Sequence, residues 1–165
     1  MPQTAQEIDL TMPNIEFACE LNAPQERVWA FHNTVETLFK LTPPEFHARL
    51  EGRPEPMRAG VVYRIRVKQF GLVPIRMVSE IVEYTPPTGF VDVQAPHGGP
   101  FKSWTHRHHF EALPGGRTRL TDQVRYELPL GPLGALADRL FVRRSLERMF
   151  RYRHRVTRET LERQA

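Results

Sequence analysis

The alternation of hydrophobic and polar positions changes period twice along this chain. From residue 14 to residue 22, Ile15, Phe17, Cys19 and Leu21 alternate with polar neighbours, the period-two signature of a half-buried strand. At PQERVWAFHN the spacing turns helical: Pro24 suits a first helical turn, and Val28, Phe31 and Trp29 supply an apolar face. A second short helix, Val35 to Leu41, stops at Thr42-Pro43-Pro44, because a residue before proline avoids the α region. The period then returns to two as far as residue 128. Strands are predicted over 46–51, over 61–68 (Val61, Tyr63, Ile65 and Val67 inward, a basic face outward), over 73–84, and over 89–95 after Pro86-Pro87. Phe70, Gly71 and Leu72 read as a hairpin tip, either a plain turn or the rim of a cavity. Gly99 to Phe110 is the next strand, and Pro114-Gly115-Gly116 turns it into Thr118 to Leu128. In the last third, Leu133, Leu136, Leu140, Val142, Leu146, Met149, Phe150 and Val156 approximate one apolar stripe, which predicts a single long helix.

The predicted order is a strand, two short helices, about six further antiparallel strands and one long helix. A sheet with one apolar face must be covered, and only the terminal helix is long enough to do it. The expected fold is therefore α+β, a curved antiparallel sheet of about seven strands wrapped around the C-terminal helix, with a gap between them that can become a pocket. Residues 14–162 form one domain in this reading, and 1–13, without periodicity, form a flexible leader.

Composition adds little to this picture. A chain of 165 residues with 40% hydrophobic and 25% charged content is ordinary for a globular domain, and 15 prolines favour short elements over a helical bundle. One cysteine, Cys19, excludes an internal disulfide and reads as a small core hydrophobe. No segment approaches the ~18 apolar residues of a membrane span, and no secretory pattern opens the chain, so a cytoplasmic location is expected. The net charge of +4 is concentrated in the last helix, where Glu147, Glu159 and Glu162 intervene among arginines. Solvated ion pairing explains that pattern better than an electrostatic binder of nucleic acid or anionic membrane. No helix-turn-helix, zinc or RNP-like motif is present, and nucleic acid is not an expected partner.

The chemistry lies on the strand GPFKSWTHRHHF. Trp104, His106, His108 and Phe110 share one face, and a buried face excludes imidazoles unless they are hydrogen-bonded, metal-bound or turned to a cavity. Closing the hairpin with Leu113 opposite Arg117 pairs Phe110 with Leu120, His108 with Asp122, His106 with Val124 and Trp104 with Tyr126. Asp122 is then placed to orient the tautomer of His108 or to stabilise its imidazolium. Two readings stay open, a satisfied structural pair or the polar end of a ligand pocket. Two histidines at i and i+2 can share a metal, but zinc requires a third ligand. His97, Asp122 and Cys19 are the candidates, and no metal or cofactor is assigned. His32, His47 and His154 read as surface or locally bonded groups. Arg153, three residues after Phe150, either sends its stem to solvent, the favoured reading, or reaches into the cavity toward an acidic ligand head.

APQERVWAFH at 23–32, LTPP at 41–44, GPF at 99–101 with Trp104, His106, His108 and Phe110, and DQVRYELPLG at 122–131 together resemble the START-like or SRPBCC superfamily. The similarity is to its small bacterial ligand-binding, CoxG-like and polyketide cyclase/dehydrase-like members. The resemblance implies the helix-grip fold and an internal cavity for a small hydrophobic or amphipathic molecule. It transfers no catalytic residue, and it implies a possible association with an epimerase-like reductase. The resulting expectation is a binding protein whose ligand contacts come from Trp104, His106, His108, Phe110, Asp122, Tyr126, Met149, Phe150 and Arg153. The alternatives are a cyclase or dehydratase using a His/Asp pair, and an electrostatic binder acting through the arginine-rich helix.

Overall fold

The computed structural model describes residues 14–69 and 73–163. The predicted leader and the Phe70-Gly71-Leu72 tip lie outside them. Seven strands form one antiparallel sheet: β1 Asn14–Leu21, β2 Arg49–Glu51, β3 Val62–Gln69, β4 Val73–Thr85, β5 Gly89–Gln94, β6 Ser103–Leu113 and β7 Arg117–Glu127, in the order β1-β7-β6-β5-β4-β3-β2. Two helices, α1 Gln25–His32 and α2 Val35–Lys40, follow β1, and a helical run from Gly131 to Glu162 ends the described chain. The predicted strand over 46–51 is shorter than expected, because Pro44–Phe46 forms a single 3-10 turn and leaves only Arg49–Glu51 to pair.

Local chemistry accounts for these boundaries. The carbonyl of Pro24 accepts the first amides of α1, from Arg27 and Val28, at 3.0 and 3.1 Å. The Thr34 hydroxyl caps α2 by accepting from the Thr37 amide. Gly115 and Gly116 both take positive φ, 78° and 69°, so the turn between β6 and β7 closes without Cβ strain. Leu113 pairs with Arg117 across that turn, and every register pair expected from it, including His108 with Asp122, is present. In β4 the pairing with β5 slips between Ile81 and Glu83, a bulge that bends the strand.

The terminal helix departs from a single regular stripe. It runs as α3 Gly131–Ala137, a π-turn at Asp138–Val142 and α4 Arg143–Glu162. The π-turn inserts residues relative to the 3.6 period and rotates everything before it out of phase. Leu133, Leu136 and Leu140, expected in the core, are therefore exposed at 69%, 54% and 46%. Val156 is also off the buried line, which runs through Leu146, Phe150, Thr157 and Leu161. The Tyr126 hydroxyl donates to Asp138 and ties the π-turn to β7.

Apolar packing forms two clusters. One gathers Leu21, Val28, Trp29, Tyr63, Phe90, Phe110, Leu120 and Leu161 beneath α1 and the end of α4; the other gathers Ile15, Trp104, Val124, Tyr126, Leu146 and Phe150. On β6 and β7 the seam between them falls at His106, His108 and Asp122.

Candidate functional site

Alternation on three adjacent strands builds the polar seam. β6 turns Trp104, His106, His108 and Phe110 inward, and β7 turns Leu120, Asp122, Val124 and Tyr126 to meet them. On the other flank β5 pairs Asp92 with His106 and Phe90 with His108. From above, α4 lowers His154 and Arg153 onto the same place.

Asp122 is the hub. His106 Nε2 donates to its Oδ1 at 3.0 Å and His154 Nε2 to its Oδ2 at 2.6 Å. His108 Nδ1 lies 2.8 Å from Oδ1, but off the ring's hydrogen-bonding direction, and that buried nitrogen makes no hydrogen bond among the described residues. Asp92 accepts from the Ser79 hydroxyl through Oδ1 at 3.1 Å. Its Oδ2 faces His106 Nδ1 at 3.4 Å and His108 Nε2 at 3.5 Å. The two imidazole centroids are 3.8 Å apart, and the Phe90 ring stacks on His108 at 4.1 Å.

Burial and charge compete throughout this cluster. Burial pushes the Asp122 carboxyl up, but His108, His106 and His154 together hold it well below the usual range. Burial likewise opposes ionisation of Asp92, and the imidazoles of His106 and His108 close beside it bring its pKa down. Burial disfavours the His106 cation, yet its two carboxylate partners leave its pKa raised. His154 ends at about 9: burial lowers it, and bonds to Asp122 and Cys19 raise it by more. Arg153 is lowered by burial, with Asp122 and Asp92 only partly restoring it.

An apolar cavity of about 230 Å³ adjoins the cluster, between the concave face of the sheet, α2 and α4. Trp104, His106, His108, Met149 and Arg153 line it, whereas Phe110, Asp122, Tyr126 and Phe150 stand behind the wall. Phe110 is taken up by the core beneath α1, at ring distances of 5.9 Å from Trp29 and 5.1 Å from His32. Phe150 stacks on Phe17 at 4.7 Å. Arg153 does not follow a route to solvent. Its guanidinium lies over the Phe150 ring, 5.2 Å from the centroid, and its Nε is buried with no hydrogen-bond partner among the described residues. The ring face and the carboxylates below it make the inward path the better one. Trp104 Nε1 is a second buried donor without a partner among the described residues.

Asp92 and His154 complete the cluster: Asp92 carries no expectation from the sequence, and His154, expected at the surface or in a local hydrogen bond, is instead largely buried and bonds the distant Asp122. Asp92 is in phase with Phe90 on β5, and His154 is four residues after Phe150, so each carried a periodic signal. His32 is buried, with Nδ1 donating to the Val28 carbonyl at 2.9 Å, and burial lowers its pKa to about 4. Outside the cavity, a surface depression shares Phe46, Ser145 and Met149 with its wall and carries Arg148, Arg151 and Arg155.

A seven-stranded antiparallel sheet curved against a terminal helix, with an apolar cavity held between them, defines the START-like helix-grip class. Residues 12–162 match the family described as polyketide cyclase/dehydrase and lipid transport, and the chain belongs to that family. Solved structures agree. An aromatase/cyclase from Streptomyces sp. R1128 superposes with a TM-score of 0.74 at 17% identity, covering 92% of this chain and 94% of its own. A START superfamily protein from Mycobacterium smegmatis gives 0.67 at 15%, covering 92% and 99%. A nucleoside-diphosphate sugar epimerase from Corynebacterium glutamicum gives 0.61 at 22%, covering 90% of this chain but only 29% of its own length. No curated protein matches the sequence. Among the described residues no helix is long and apolar enough to cross a membrane.

Proposed function

We propose that this protein binds a small amphipathic molecule in the cavity, its apolar body against Trp104 and Met149 and an acceptor-bearing head, a carboxylate or polarised carbonyl, toward Arg153. The observation that carries this reading is the pair of buried donors, Arg153 Nε and Trp104 Nε1, both lacking a partner among the described residues and both belonging to side chains that line one apolar cavity. A buried donor left unsatisfied costs about 1–3 kcal/mol, more for a charged group, and a ligand acceptor removes that cost. The volume of about 230 Å³ suits a compact ligand, since an apolar cavity of about 150 Å³ already holds benzene. Arg148 and Arg155 beside Ser145 and Met149 favour the approach of an anion, with Glu45 the acidic group in the same depression. His106, His108 and Asp92 form the polar end, which also supports the second reading, a cyclase or dehydratase using an imidazole there as acid or base. An electrostatic binder is less well supported, because Arg143 and Arg151 reach Glu147, Arg158 reaches Glu162 and Arg163 reaches Glu159. The proposed setting is the cytosol, and the match to part of an epimerase supports a partnership with an epimerase-like reductase.

Titration with 2-naphthoic acid and, separately, with 2-naphthamide, followed by calorimetry, tests the binding mode. The acid should bind more tightly than the amide, and Arg153→Met should weaken the acid by about tenfold or more and the amide, whose carbonyl is the weaker acceptor, by much less. Equal affinities in the two proteins, or failure of both probes to bind, would refute it.

A further inference from the structure

Among the described residues, Asp92, His106 and His108 are the one group of metal-ligating side chains whose donor atoms all lie within 4.8 Å of one another. Ligand atoms bound tetrahedrally at about 2.0–2.1 Å sit about 3.4 Å apart. His106 Nδ1 and His108 Nε2 lie 3.4 and 3.5 Å from Asp92 Oδ2, at that spacing. Neither contact is a hydrogen bond, so the three atoms converge without bonding one another. For His106 the surroundings match what a metal-bound histidine requires, since its far nitrogen Nε2 donates to Asp122 Oδ1 at 3.0 Å, and His108 Nδ1 lies 2.8 Å from the same oxygen without hydrogen-bond alignment. Ser79 occupies Asp92 Oδ1 and leaves Oδ2 for an ion.

We propose that His106 Nδ1, His108 Nε2 and Asp92 Oδ2 form a three-ligand site for a divalent first-row transition ion, zinc by preference, with its fourth position open to the cavity. Two imidazoles and one carboxylate suit zinc better than magnesium or calcium, which take oxygen ligands. Asp92 and Asp122 bring two negative charges into the same buried volume and offset the repulsion that an ion meets from Arg153 and His154. All three ligands line the cavity, so the open position faces any molecule held there. The site stands independently of the ligand reading, because it rests on the spacing of three side chains and on nothing in the apolar wall.

The test uses the full chain, treated with EDTA and dialysed, then titrated with ZnCl2 by calorimetry and with CoCl2 by visible absorption. One equivalent of each ion should bind, and cobalt should show the d–d absorption of a four-coordinate site with nitrogen ligands. Asp92→Asn, His106→Gln and His108→Gln, each checked for folding by circular dichroism, should lose more than about tenfold in affinity. Asp122→Asn should lose about 10–100-fold through misorientation of the rings. His109→Gln, on the outer face of the same strand, should bind as wild type. Uptake below one equivalent, a six-coordinate cobalt spectrum, or undiminished binding in the folded Asp92→Asn and His108→Gln proteins would overturn the site. Should a variant not fold, the wild-type stoichiometry and cobalt spectrum decide alone. Naphthoate binding to the metal-free protein separates this outcome from that of the ligand reading.

Discussion

Replacing His154 with glutamine removes the cation that α4 sets against Asp122 while keeping a hydrogen-bond donor near Oδ2. The imidazole is largely buried, 12% exposed, and bonds Asp122 at 2.6 Å. Its pKa rises from 6.5 in the unfolded chain to about 9 in the fold. A group raised on folding contributes its full stability below the unfolded value, and the contribution disappears as pH climbs through the folded value. The separation is worth about 3 kcal/mol, present at pH 6 and nearly gone at pH 9.5. His106 acts in the same direction and remains in the variant. His32 acts oppositely: held neutral down to about pH 4, it contributes above 6.5 and loses that contribution as pH falls toward 4. Stability should therefore peak near pH 6.5. Urea unfolding with EDTA present should show wild type losing about 3 kcal/mol or more between pH 6 and 9.5, and His154→Gln should lose markedly less, being already weaker at pH 6. An equal alkaline loss in the two proteins would refute the coupling between α4 and Asp122.

Two further substitutions separate packing from function. Phe150→Ala, at a position with no exposed surface and stacked on Phe17, should cost about 3–5 kcal/mol in urea unfolding, with the same slope against urea. Arg153→Met removes a buried guanidinium whose Nε has no partner, so the midpoint of unfolding should rise even as naphthoate affinity falls. A fall in both would mean that the arginine is a structural cation.

How far the sequence could be read depended on how local each determinant was. The β6–β7 register follows from a three-residue turn and a period of two, so the meeting of His108 with Asp122 is legible in the sequence. Asp92 reaches the same cluster through a neighbouring strand, and nothing in GFVDVQ fixes which residue of β6 lies opposite it. His154 approaches from α4, whose phase over the sheet is set by the π-turn at Asp138–Val142, a feature that hydrophobic spacing does not encode. The same turn exposes Leu133 and Leu136, which a 3.6 period carried into the core. Arg153 was read by its usual habit of reaching water, and here the Phe150 ring and two carboxylates reverse that preference.

The seam of imidazoles and carboxylates also divides the molecule mechanically. Leu161 anchors the end of α4 in one apolar cluster, while Leu146 and Phe150 rest on the other. The first turns of α4, beside Ser145 and Met149, and its last turns are therefore held by different clusters and can open separately. In hydrogen exchange, amides around residues 143–150 should open at lower free energy than those around 157–161. That order of opening would place the way into the interior at the first turns of α4, with the last turns keeping the sheet and its register intact.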